Sequence, residues 1–79
     1  MFYTYILISA TSNKRYVGQT SNLYRRLVAH NSGESKYTKS RGPWILMHYE
    51  LYSSRGEATK RERFLKSGKS REFIDSLTK

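Results

Sequence analysis

The 79 residues contain no cysteine and a single proline, Pro43. Without thiols there is no disulfide scaffold, no thiolate nucleophile and no cysteine-based zinc site. Acidic side chains are scarce as well. Six Asp and Glu stand against fifteen Lys and Arg, a formal net charge of +9. The first 33 residues carry Lys14, Arg15, Arg25 and Arg26 and no acid; the carboxylates are Glu34, Glu50, Glu57, Glu62, Glu72 and Asp75. A nuclease that clamps two metals draws on several convergent carboxylates, which six scattered acids do not suit; one metal on one carboxylate stays open. No apolar run approaches the ~20 residues that span a bilayer. Met1 to Ser9 has no basic region ahead of its apolar stretch, so it does not read as a signal peptide. The expectation is a soluble cytoplasmic protein with no membrane partner, its residues 1–79 forming one small domain.

What is present is cationic and aromatic. The net charge of +9 points to a polyanionic partner, nucleic acid first. Phe2 to Ser9 is rich in β-branched and aromatic residues and reads as a strand; Thr11 to Lys14 reads as a polar turn, and Arg15 to Gln19 as a second strand closing a hairpin. Gly18 in that strand implies a bulge or a close backbone approach. Asn31 to Gly42 is polar and basic and reads as a loop presenting Lys36, Tyr37, Lys39 and Arg41. Trp44 to Tyr52 is the strongest strand signal. Strict alternation puts Trp44, Leu46, His48, Glu50 and Tyr52 on one face and Ile45, Met47, Tyr49 and Leu51 on the other.

Three helices complete the pattern. The first, capped by Ser21 or Asn22, runs to about His30. Leu23 and Leu27 form its apolar stripe; Arg26 and His30, four apart, flank that stripe, and Arg25 points the opposite way. The second, capped by Ser53 or Ser54, covers about Arg55 to Lys66. Ala58, Glu62 and Leu65 share one face, and Phe64 pulls that face sideways, leaving Glu62 at its margin. Ser70 to Leu77 forms the last, with Phe73, Ile74 and Leu77 inward. The order is β-β-α-β-α-α.

Tyr5, Tyr16, Arg26, His30 and Glu62 are thereby directed inward or toward a shared surface. Taken singly, each has a structural explanation: a packed tyrosine, a half-buried histidine, an Arg–Glu ion pair. As an ordered set they resemble the GIY-YIG nuclease family. The resemblance rests on Tyr3-Thr4-Tyr5 and Tyr16-Val17-Gly18, with Tyr5 and Tyr16 eleven positions apart, on Arg26 ten residues further, on His30 four beyond it, and on Glu62 in Glu57-Ala58-x-x-x-Glu62. It covers the whole chain and is nearest to the small standalone bacterial branch, similar to the nuclease domain of structure-specific endonuclease subunits. Departures are Tyr3 and Thr4 where the first motif has Gly and Ile, Gln19 where some members have Lys, and no Asn after Asn31.

The resemblance implies an α+β fold, a small three-stranded antiparallel sheet flanked by helices. It also implies a metal-dependent endonuclease that hydrolyses DNA phosphodiester bonds, in repair or recombination. Glu62 would hold one divalent cation, Mg²⁺ or Mn²⁺; Tyr5 or Tyr16 would help activate water; Arg26 would hold the scissile phosphate; His30 would orient or share a proton. Lys14, Arg15, Lys36, Tyr37, Lys39 and Arg41 are the expected nucleic-acid contacts. The alternative is a non-catalytic nucleic-acid-binding module of the same fold. A lone carboxylate facing phosphates repels them, so Glu62 favours the enzyme. Branched or single-stranded DNA, RNA, a homodimer and a protein partner all stay open.

Overall fold

The computed structural model describes residues 1–34, 38 and 41–77. Three strands, β1 (Phe2–Ser9), β2 (Arg15–Thr20) and β3 (Trp44–Tyr52), form an antiparallel sheet in the order β2-β1-β3. Helix α1 (Leu23–Ser32) lies between β2 and β3 in sequence. Helix α2 (Arg55–Lys66), a 3₁₀ turn (Gly68–Ser70) and helix α3 (Arg71–Ser76) follow. The fold is α+β with the expected element order.

The β1–β2 turn is built by short polar residues. Ser9 Oγ accepts from the backbone N–H groups of Thr11 and Ser12, and Asn13 takes the left-handed conformation (φ 59°) that Asn tolerates better than other non-glycine residues. Pairing Tyr5 with Gly18 and Leu7 with Tyr16 then follows.

The central strand is buried on both faces. Tyr5 and Leu7 pack with Trp44 under α1, joined by Tyr16, Leu23, Leu27 and Leu46. Ile6 packs with Leu65 and Ile74 on the opposite face, joined by Val17, Met47, Phe64, Phe73 and Leu77 from β2, β3, α2 and α3. A hydroxyl joins the second layer to the sheet: Thr4, fully buried, donates to the Ala58 carbonyl at 2.8 Å.

Helix ends follow the capping chemistry. Asn22 caps α1 by accepting from the Arg25 N–H, Ser54 caps α2 by accepting from the Glu57 N–H, and Gly33 ends α1 at φ 86°. Helix α1 extends two residues past His30. Its extra turn seats Asn31, whose side-chain amide clamps the start of β3 by accepting from the Trp44 N–H at 2.6 Å and donating to the Trp44 carbonyl at 3.0 Å. Those two bonds repay continuing the helix into a polar stretch, which the loop expectation for residues 31–42 did not foresee.

Strict alternation along β3 fails. Between Ile6 and Leu7 the register shifts, so that His48 pairs with Ile6 and Leu46 with Leu7, leaving Met47 as an extra residue. Trp44 and Leu46 face α1, whereas His48, Glu50 and Tyr52 face α2 and α3, where His48 meets the Phe73 ring and Glu50 meets Arg61. The expected single face for these five residues is therefore split by the bulge.

Candidate active site

Helix α1 and the two hairpin strands bring four of the five candidate residues together. Tyr5 and Tyr16 sit on the sheet face that α1 covers, their ring centroids 6.3 Å apart. His30, from the last turn of α1, lies 5.9 Å from the Tyr5 ring and 4.7 Å from the Tyr16 ring. The Tyr5 hydroxyl is 2.9 Å from His30 Nε2. Arg26, one turn earlier on α1, interacts with the hydroxyls of both tyrosines, and these contacts, Tyr5 foremost, raise its pKa.

Gly18 makes this arrangement possible. A Cβ on Gly18 would stand 2.6 Å from the Tyr5 hydroxyl oxygen and 2.8 Å from the ring carbon bearing it. The glycine reflects a close approach by the side chain opposite it on β1; the bulge of this sheet lies in β3 instead.

Burial sets the proton inventory. Tyr5 is 1% exposed, and burial pushes its pKa up to about 12 against the opposing hydrogen bond from Arg26, so it is a phenol at neutral pH. His30, also 1% exposed, is pushed down to about 4 by burial and by the charge of Arg26, so it is neutral. A neutral imidazole between a tyrosine and a cation can accept a proton, whereas an imidazolium could only donate one.

Glu62 approaches from the helix on the other face. Gln19 of β2 bonds Thr59 and Arg55, while Lys66 borders a cavity of about 530 Å³ with Arg15, Tyr16 and Val17. Helix α2 therefore runs along β2, and Glu62, between Thr59 and Lys66, lies on its β2-side flank. Its charge reaches Tyr5, contributing to the rise in that group's pKa. The carboxylate is 18% exposed, and its Oε2 pairs with Lys66 Nζ at 2.7 Å. Lys66 was not foreseen, although its spacing four residues beyond Glu62 is the usual signature of a helical ion pair.

Among the described residues no three His, Asp or Glu side chains converge into a metal cage. A single half-buried carboxylate that already attracts a cation suits Mg²⁺, a hard ion that retains several waters and completes its shell with substrate phosphate. The donor set fits one such ion on Glu62.

Of the expected nucleic-acid contacts, Lys14, Arg15 and Arg41 are exposed. Ser9 ties them to one end of the sheet: its N–H donates to the Lys14 carbonyl and its hydroxyl to the Arg41 carbonyl at 2.6 Å. Arg15 also pairs with Asp75 at 3.6 Å, both side chains well exposed. Lys36, Tyr37 and Lys39 lie outside the described residues.

Thr38 was not anticipated at all. It is 1% exposed, its hydroxyl is 2.8 Å from His30 Nδ1, and its carbonyl accepts from the Trp44 indole at 3.0 Å. One threonine in a polar stretch carries no sequence signal for this.

No helix among the described residues is long and apolar enough to cross a membrane.

Comparison with known proteins gives the family. The family model described as the GIY-YIG catalytic domain matches residues 1–73. A UPF0213 protein of Staphylococcus haemolyticus is 41% identical over 66 residues, covering 82% of this chain and 79% of that protein. One of Clostridium perfringens is 42% identical over 67 residues, covering 84% and 71%. The solution structure of a UPF0213 protein from Bacillus halodurans superposes with a TM-score of 0.58 at 36% identity, over 98% of this chain and 85% of that one. Those names state no activity or pathway. With its residues 1–73 matching the catalytic-domain model and its tyrosines, arginine and histidine gathered on one face of the hairpin, the chain belongs to the GIY-YIG family, a nuclease superfamily.

Proposed function

We propose that this chain is a metal-dependent endonuclease that hydrolyses phosphodiester bonds of DNA in the cytoplasm, with residues 1–79 as its single nuclease domain and repair or recombination as its setting. The observation that carries the reading is the gathering of Tyr5, Tyr16 and buried His30 on the sheet face under α1, with the Tyr5 hydroxyl 2.9 Å from His30 Nε2 and the charges of Arg26 and Glu62 both felt at Tyr5.

Arg26 holds the scissile phosphate. Its planar guanidinium offers paired donors that match phosphate oxygens, and two tyrosine oxygens orient it. Tyr16 is the tyrosine placed to touch the attacking water, because Tyr5 is almost wholly buried. Tyr5 hydrogen-bonds His30 Nε2, which is the acceptor for the Tyr5 proton. Glu62 holds the divalent cation, Mg²⁺ or Mn²⁺, in place of Lys66; when bound, the ion supplies positive charge to the phosphorane-like transition state. Lys14, Arg15 and Arg41, with Lys36, Tyr37 and Lys39, grip the nucleic acid. Branched or single-stranded DNA is the substrate class we assign.

The Lys66–Glu62 pair favours one competing reading, a nucleic-acid-binding module in which Glu62 is only half of a helical ion pair. Incubating the purified protein with plasmid and branched DNA, with and without Mg²⁺, separates the two. The enzyme nicks or cuts in Mg²⁺, and Glu62→Ala abolishes cleavage while binding persists. If wild type and Glu62→Ala bind all substrates equally and cut none, the binding module stands.

A further inference from the structure

Thr38, His30 and Tyr5 form a buried hydrogen-bonded chain beside the half-buried Arg26. Arg26, whose charge is felt at Tyr5, carries donors and no acceptor, so it cannot take the Tyr5 hydrogen. The Tyr5 hydrogen must then go elsewhere. Tyr5 is 1% exposed, and the one hydrogen-bonding atom at its hydroxyl besides Arg26, among the described residues, is His30 Nε2 at 2.9 Å. If Nε2 carried a hydrogen, the Tyr5 hydroxyl hydrogen would be buried without an acceptor, a loss that buried polar groups rarely sustain. Nε2 is therefore the acceptor. In a neutral imidazole the hydrogen must then sit on Nδ1, which faces the Thr38 hydroxyl at 2.8 Å.

We propose that Thr38 is a positioning residue: by accepting from His30 Nδ1–H, it keeps the Nε2 lone pair turned on the Tyr5 hydroxyl. The hydroxyl fits this task in both protonation states of the ring, because Nδ1 is a donor in the neutral tautomer and in the imidazolium that would form if Nε2 took the Tyr5 proton. Thr38 is itself fixed by the Trp44 indole and by the Arg41 N–H, both donating to its carbonyl, at 3.0 and 3.2 Å. Trp44 is in turn seated by Asn31, one residue after His30. The ring and the residue that fixes its tautomer are thus held by a common support. The catalytic consequence rests on the nuclease reading above; the tautomer does not.

The test is the ¹⁵N spectrum of the His30 ring at neutral pH in wild type, Thr38→Val and Thr38→Ser, alongside DNA cleavage and binding. Wild type should show a protonated Nδ1 and an unprotonated Nε2, the reverse of free histidine's preference. Thr38→Val should shift the ring toward Nε2–H and lower cleavage about tenfold or more with DNA affinity unchanged; Thr38→Ser should restore both. A wild-type ring protonated on Nε2 overturns the proposal whether or not Thr38→Val folds, and so does a folded Thr38→Val with an unchanged tautomer. If the tautomer responds as expected but no variant, wild type included, cuts DNA, positioning by Thr38 stands and the nuclease reading falls.

Discussion

The candidate site depends on a few atoms without slack. Gly18→Ala would drive a methyl group into the Tyr5 hydroxyl, and with Tyr5 pinned under α1 the strands must part. The expected cost is about 1–3 kcal/mol of stability, read by chemical denaturation, with cleavage lost beyond what unfolding explains. Arg26→Lys keeps the charge but not the paired donors, so cleavage should fall at least tenfold while the protein stays folded. His30 makes stability depend on pH. Its folded pKa of about 4 lies below the ordinary 6.5, so the unfolded chain binds more protons between those values. Its contribution is complete above pH 6.5 and fades as pH falls toward 4, roughly 3 kcal/mol in all. Denaturation midpoints measured from pH 7 to pH 4 should therefore drop in wild type and change less in His30→Gln.

At the scale of elements, the informative departure is β3. Its limits were legible, because a nine-residue run of aromatic and branched side chains can hardly be anything else. Its facing was not. The register shift at Met47 is decided by what α2 and α3 offer from across the sheet, and no local pattern encodes that. Turning His48, Glu50 and Tyr52 toward α2 creates a polar knot: Glu50 accepts from Arg61 Nε at 2.8 Å and Nη2 at 3.1 Å and from the Tyr52 hydroxyl at 2.7 Å, with His48 Nε2 at 2.9 Å. Arg61 also lies over the Phe64 and Phe73 rings. Burial alone would raise the Glu50 pKa, but Arg61, His48 and Tyr52 outweigh it and hold the carboxyl at about 2. Its stabilisation is present above pH 4.5 and lost as pH falls toward 2, below the window of His30. Glu50→Ala should cost about 1–3 kcal/mol by thermal denaturation, leaving the arginine bonds unmade, with cleavage unaffected at temperatures where the variant is folded.

For the whole molecule, element order was readable, and so was the element on which each of the five candidate residues stands, because each lies in a strongly patterned strand or helix. Arg26 and His30 could be placed from helical spacing alone. The buried partner of His30 could not: Thr38 comes from a stretch without periodicity. The net charge acts at this scale also. DNA binding should weaken steeply as salt rises, log affinity falling linearly with log salt, and Arg41→Ala should reduce that slope by about one without altering the cut position. Fluorescence anisotropy across a salt series checks it.

The strand order has a consequence for assembly. Glu62 comes to the tyrosines past β2, so a chain that added a strand along β2 would roof the site. Among the described residues, the other edge open to a second copy is β3, where Ile45, Tyr49 and Leu51 are about half exposed. Two copies joined edge to edge there would form six strands with β2 outermost at each end. Their sites, each spanning β1 and β2, would stand about four interstrand spacings apart, roughly 19 Å. Such a pair would leave two separate nicks, not a paired break at neighbouring phosphates.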